Sequence, residues 1–179
     1  MSSGLDDSSK GITFFQWMIL GTLTLTSTLY AMSMTIANIA LPQLQGALGA
    51  TQDQIAWTVT FNIVGTAIVT PMTGWLTLRF GQRRLMLCAI FGFATSSILC
   101  GQANALPELV IYRVFQGAFG GPLVPLSQAI ILGVFPRQLH SFATAVWGMG
   151  VVCGPIIGPT VGGYISEAYS WRWIFYIIG

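Results

Sequence analysis

Charge is what this chain has least of. Charged residues make up 7% of its 179 residues, against about 25% in soluble domains. That shortage excludes a surface built for water. The few arginines are scattered, so no basic patch exists that could follow a nucleic-acid backbone. Histidine occurs once, as His140, and cysteine three times, as Cys88, Cys100 and Cys153. None of the three cysteines stands at metal-ligand or disulfide-framework spacing. No paired carboxylates, Ser–His or His–Glu sets fall within the apolar runs, which argues against an enzyme and against a metal site. No phosphate-binding loop is present, so ATP-driven transport has no support. Residues 1–13 do not read as a cleavable leader: they contain Asp6 and Asp7, and no basic run precedes the first apolar segment, which is expected to stay in the membrane as the first span.

What is present instead is uninterrupted apolar length. No Asp, Glu, Lys or Arg occurs from Gly11 to Gln52, Gln54 to Leu78, Leu85 to Pro107, Val114 to Pro136 or Gln138 to Ser166. Each run exceeds the roughly 20 residues that an α-helix needs to cross a bilayer. The chain therefore reads as an all-α integral membrane protein embedded in a lipid bilayer. The runs predict a polar tail over residues 1–13, then spans over about 14–41, 54–78, 85–102, 107–134 and 140–165. A sixth span begins near residue 172 and is incomplete at 179. About eight residues rise only about 12 Å, so the sequence reads as part of a longer protein.

Loop charge orients the spans. Lys10, Arg79, Arg83, Arg84 and Arg137 fall on one side, and Asp53, Glu108 and Glu167 on the other. The positive-inside rule places the amino terminus in the cytoplasm. Trp17, Trp57, Trp171 and Trp173 stand near span ends, where an aromatic belt would lie.

Arg113 is the strongest single signal. It lies about six residues inside span four, roughly 9 Å from its outer end. A guanidinium in lipid is expensive, so Arg113 should either face a polar cavity or partner, or snorkel outward. Gln116, three residues on, shares its face. Gly117, Gly120 and Gly121 permit close helix approach, and Pro122 and Pro125 should kink span four in mid-membrane. Span five repeats glycine every four residues, at Gly150, Gly154, Gly158 and Gly162, with Gly163, Pro155 and Pro159 interleaved. The ladder makes one smooth packing face, and the two prolines should bend it. Between spans two and three, Gly74 should close a span and Gly81 should permit a tight turn. Arg79, Arg83 and Arg84 can pair with carboxylates or helix C-termini, or simply set topology. Asn38, polar in mid-to-late span one, can bond a neighbouring helix or contact substrate.

These stretches resemble signatures of the major facilitator superfamily, and within it the EmrB/QacA-type drug:proton antiporters, which have fourteen spans. RVFQG at Arg113–Gly117 resembles the helix 4 motif, and GVVCGPIIGPTVGG at Gly150–Gly163 the helix 5 antiporter motif. GWLTLRFGQRR at Gly74–Arg84 resembles the gating motif. TIANIALP at Thr35–Pro42 and WRWIF at Trp171–Phe175 resemble signatures of spans one and six in the fourteen-span branch. The resemblance implies the amino-terminal bundle of a transporter working by alternating access and powered by a proton gradient, with no bound cofactor. It implies multidrug efflux of hydrophobic or amphipathic compounds, with Arg113 in proton coupling. It also implies a bacterial inner membrane, and as partners a periplasmic adaptor and an outer-membrane channel. A symporter of a small metabolite, or a truncated fragment that transports nothing, are the alternatives. Three departures stand out: Leu78 and Ser33 occupy positions where the family usually has aspartate, and Ile178 lies near one where it usually has asparagine. No acidic residue then remains inside any predicted span.

Overall fold

The computed structural model describes residues 12–179, so Lys10 and most of the amino-terminal tail lie outside the described residues. The described chain is helical throughout: α1 (Phe14–Leu48), α2 (Gln52–Phe80), α3 (Gln82–Gln102), α4 (Leu106–Gly120), α5 (Leu123–Val134), α6 (His140–Ala168) and α7 (Trp171–Ile178). A single 3-10 turn, Arg137–Leu139, leads into α6. Helices α1, α2, α3 and α6 each have the length and apolarity to cross a membrane, and α4 with α5 together form one more span.

Helices α2, α3 and α6 each run past an end of their charge-free stretch. Helix α2 begins at Gln52 and ends at Phe80, taking in Asp53 in its first turn and Arg79 in its last. Both charges complement the helix dipole, negative at the amino end and positive at the carboxyl end, so they belong to the helix and do not stop it. Thr51 caps α2: its hydroxyl accepts from the Gln54 amide at 3.4 Å, and the Gln54 side chain accepts from the Thr51 amide at 3.0 Å. Helix α3 starts at Gln82, immediately after Gly81, and α6 runs on to Ala168. Helix α1 does not end at Pro42. It continues to Leu48, with Pro42 inside it, and closes at Gly49 in the left-handed conformation (φ 60°). An internal proline removes one backbone donor, and here the surrounding turns carry the helix past it.

The kink expected in span four shows as a local disruption between two helical segments. Helix α4 stops at Gly120, Pro122 stands at the head of α5, and Gly121 and Pro122 keep right-handed helical dihedrals between them. A proline has no amide hydrogen, so Pro125 leaves the Gly121 carbonyl without its helical donor. By contrast, α6 is continuous through Pro155 and Pro159. Pro155 is exposed and Pro159 half-buried. Each follows a ladder glycine by one position, about 100° round the helix, so neither sits on the glycine face.

Two seams organise the bundle. Helix α1 packs along α6, and α2 packs along α4; α3 joins α4 to α7. The buried core includes Leu20, Ile36, Leu44, Leu109, Leu126, Ile131, Ile174 and Phe175. Trp171 is buried within it, which corrects its expected place in an interfacial belt. Trp17, Trp57 and Trp173 remain exposed.

Candidate functional site

Helix α4 aims Arg113 inward. Its start is set by Pro107 in the first turn, and the Glu108 carboxylate accepts from the Asn104 amide at 3.2 Å. From there the buried positions are Leu109, Arg113, Gln116, Gly117 and Gly120, a single helical stripe. Arg113 is 2% exposed. It neither snorkels nor opens on a polar cavity: its partner is Gln116. Arg113 Nη1 donates to Gln116 Oε1 at 2.8 Å, and Gln116 Nε2 donates to Ser97 Oγ at 2.7 Å. Cys100 Sγ lies 4.0 Å from the same Gln116 oxygen. From α7, the Phe175 ring covers the guanidinium, with Cζ 4.6 Å from the ring centroid. Arg113 Nε and Nη2 are buried with no partner among the described residues.

The electrostatics of this cluster are lopsided. A buried guanidinium is ordinarily neutralised by a carboxylate, because its desolvation costs several kcal/mol. Here the hydrogen-bonding neighbours are an amide and, through it, a hydroxyl. Among the described residues the carboxylates sit at helix ends: Asp53 and Glu108 in first turns, and Glu167 near the end of α6. Ser33, where a carboxylate is usual, is buried and donates to the Tyr30 carbonyl of its own helix at 2.7 Å.

The remaining sequence-derived residues do not gather round Arg113. Asn38 is exposed, and its Nδ2 donates to Met34 O in its own helix at 3.1 Å, so it bonds no neighbouring helix. Sequence shows polarity at that position but not which face it occupies. Gly74 lies inside α2 and closes nothing. Gly81 does make the turn between α2 and α3, with φ 83°. Arg79, Arg83 and Arg84 are exposed on the same end of the bundle. Arg79 is at a helix C-terminus, whereas Arg83 and Arg84 are in the first turn of α3. Leu78 is 89% exposed.

The glycine ladder of α6 forms the α1 seam. A Cβ at Gly154 would lie 2.6 Å from the Thr28 carbonyl oxygen, and one at Gly158 would lie 2.7 Å from Thr35 Oγ1. Gly150 abuts Thr24 and Gly162 abuts Ile36, while Gly163 faces open space.

The facing seam holds residues that sequence reasoning missed. Asn62, Thr66 and Thr70, spaced by four on α2, reach the carbonyls of Arg113 and Gly117 on α4 and of Gly121 just after it, also spaced by four. The distances are 3.0, 3.2 and 3.5 Å. That polar i, i+4, i+8 stripe inside an apolar run was the available signal. A second buried cluster joins three helices: Trp147 Nε1 donates to Ser27 Oγ at 3.1 Å, which donates to Ser127 Oγ at 3.1 Å. Near the amino-terminal ends of α2 and α4, Trp57, Phe61, Leu106, Pro107, Val110 and Ile111 line an apolar groove of about 470 Å³.

Residues 23–179 match the family description Major Facilitator Superfamily. The chain is 46% identical over 155 residues to the multidrug export protein EmrB of Haemophilus influenzae, covering 87% of this chain and 30% of that protein. It is 41% identical over 161 residues to the probable multidrug resistance protein EmrY of Escherichia coli, covering 90% of this chain and 31% of the relative. The chain thus spans about a third of the length of these curated relatives. Among solved structures, the proton:xylose symporter XylE superposes with a TM-score of 0.81 at 17% identity, over 93% of this chain and 42% of that one. At that identity the likeness concerns the fold alone.

Proposed function

The chain belongs to the Major Facilitator Superfamily, a family of membrane transporters, and on that premise we propose that the full-length protein exports hydrophobic or amphipathic compounds in exchange for protons. The relatives' names support the direction: both are described as multidrug export or resistance proteins. The observation that carries the proton part is Arg113, a guanidinium sealed inside the bundle with two nitrogens, Nε and Nη2, unpartnered among the described residues. Such a charge is a ready partner for a carboxylate that alternately binds and releases a proton, because the pair is stable only while the acid is ionised.

In this reading the bundle rocks against the remainder of the transporter round a midplane site, and proton binding biases the two orientations differently. The protein sits in a bacterial inner membrane with its amino terminus in the cytoplasm. A periplasmic adaptor and an outer-membrane channel complete the route. The proton-exchanging carboxylate belongs to a part of the transporter beyond the spans described here.

The test is dye or drug export from everted vesicles carrying full-length protein, with an imposed proton gradient. Wild-type export should collapse when the gradient is dissipated. Arg113→Ala should lower gradient-driven export at least about tenfold while the protein still reaches the membrane. Export that survives both manipulations would overturn the proposal.

A further inference from the structure

Arg113 leaves one neighbour that its hydrogen bonds do not explain. Phe175 is 1% exposed, and its ring lies over the guanidinium with Cζ 4.6 Å from the centroid. Its helix is short but firmly anchored. Ser170 caps it, accepting from the Arg172 amide at 3.4 Å. Arg172 reaches back to α3, donating from Nη1 to Gly101 O at 3.0 Å and from Nη2 to Asn104 Oδ1 at 3.2 Å. The Trp171 ring packs edge-on to Phe175 at 6.1 Å. These contacts fix both the depth and the rotation of Phe175.

We propose that Phe175 is a positioning residue for Arg113: its ring face holds the guanidinium in place where no carboxylate does so. This rests on the reading of Arg113 as the proton-coupling arginine. A ring face attracts a cation most strongly when both are out of water, as they are here. The ring also competes with any carboxylate that approaches the guanidinium during transport. It therefore keeps the arginine available without letting a permanent ion pair form.

Few other charged or titratable groups face this cluster. Helix α3 contributes Cys100, beside Gln116. On α7, Arg172 is turned to Gly101 and Asn104, and Tyr176 packs at Gly101. On α2, Asp53 and Arg79 lie in the terminal turns. Tyr30 of α1 is 3.3 Å from Thr66. On α4 itself, Glu108 accepts from the Asn104 amide.

Phe175→Leu tests the idea, because leucine keeps apolar bulk but has no ring face, whereas Phe175→Tyr keeps the face. Released from the ring, the guanidinium would pair more strongly with the exchanging carboxylate and keep it ionised to lower pH. In full-length protein in proteoliposomes, the pH midpoint of export should move to lower pH by about half to one unit in Phe175→Leu. Phe175→Tyr should retain the wild-type midpoint. If the leucine variant fails to reach the membrane, Phe175→Met carries the same comparison. A wild-type midpoint in the ringless variant, alongside a shifted midpoint in Arg113→Lys, would overturn this inference and leave the proton-coupling reading standing. Export by the wild type that ignores both pH and the proton gradient would overturn both.

Discussion

The two seams of this bundle solve one problem in opposite ways. Along α1 and α6, glycines at 150, 154, 158 and 162 remove side chains so that backbones meet. The ladder itself meets α1 by van der Waals packing, and a hydrogen bond between these two helices, from Trp147 Nε1 to Ser27 Oγ at 3.1 Å, lies before the first ladder glycine. Along α2 and α4 glycine is again present, with Gly65 against Val114 and Gly117 against Asn62. There the approach brings α2 side chains to α4 carbonyls, and three hydrogen bonds climb the seam. Lipid gives no hydrophobic push between helices, so packing and such bonds are what remains. The lesson is that a glycine stripe alone does not say which kind of joint it makes. The polar spacing on the partner does.

The comparison can be broken most severely at the dry seam. Gly154→Leu places a side chain against the Thr28 backbone, which cannot move aside as a flexible side chain can. Overpacking of this kind costs about 1–3 kcal/mol or more. We expect a several-fold loss of monodisperse, detergent-extracted protein, and wild-type yield and melting temperature would refute the ladder packing. At the bonded seam, Asn62→Ala should cost about 1–2 kcal/mol, seen as a lower melting temperature in detergent with the protein still folded. Thr66→Val should cost about 0.6 kcal/mol. Should it prove as damaging as Gly154→Leu, the seams would not differ as described. Smallest of all is Gly163→Ala on α6, which meets open space and should leave stability within about 0.5 kcal/mol of wild type. A large loss there would mean that every glycine in α6 matters, not one face.

Much of the fold was legible because bilayers impose so simple a rule. Charge-free length marks each span. The ends were not legible in the same way, because Asp53 and Arg79 are compatible with terminal turns and Pro42 with a helix interior. Arg113 and Gln116 could be paired from their spacing, since three residues on a helix bring two side chains together. Their surroundings could not. Ser97 is 19 positions from Gln116, and Trp147 is 120 from Ser27. Contacts of that separation depend on which helices become neighbours. Asn38 shows the converse: a polar residue at suggestive depth that bonds its own helix and no neighbouring one.

The disruption at Gly121–Pro122 divides span four into two segments with different neighbours. Its first half, α4, is tied through Asn62, Ser97 and Gln116 to α2 and α3. Its second half, α5, is tied through Ser127 to Ser27 and through the Val134 carbonyl to Gln16, both on α1. One membrane crossing is thus shared between two crews. Helix α1 also touches α4 itself, where Tyr30 lies against Gly120, and α7 lays Phe175 over Arg113. The arginine is thus held by the whole bundle and not by one seam, so no single helix can shift without loading its setting.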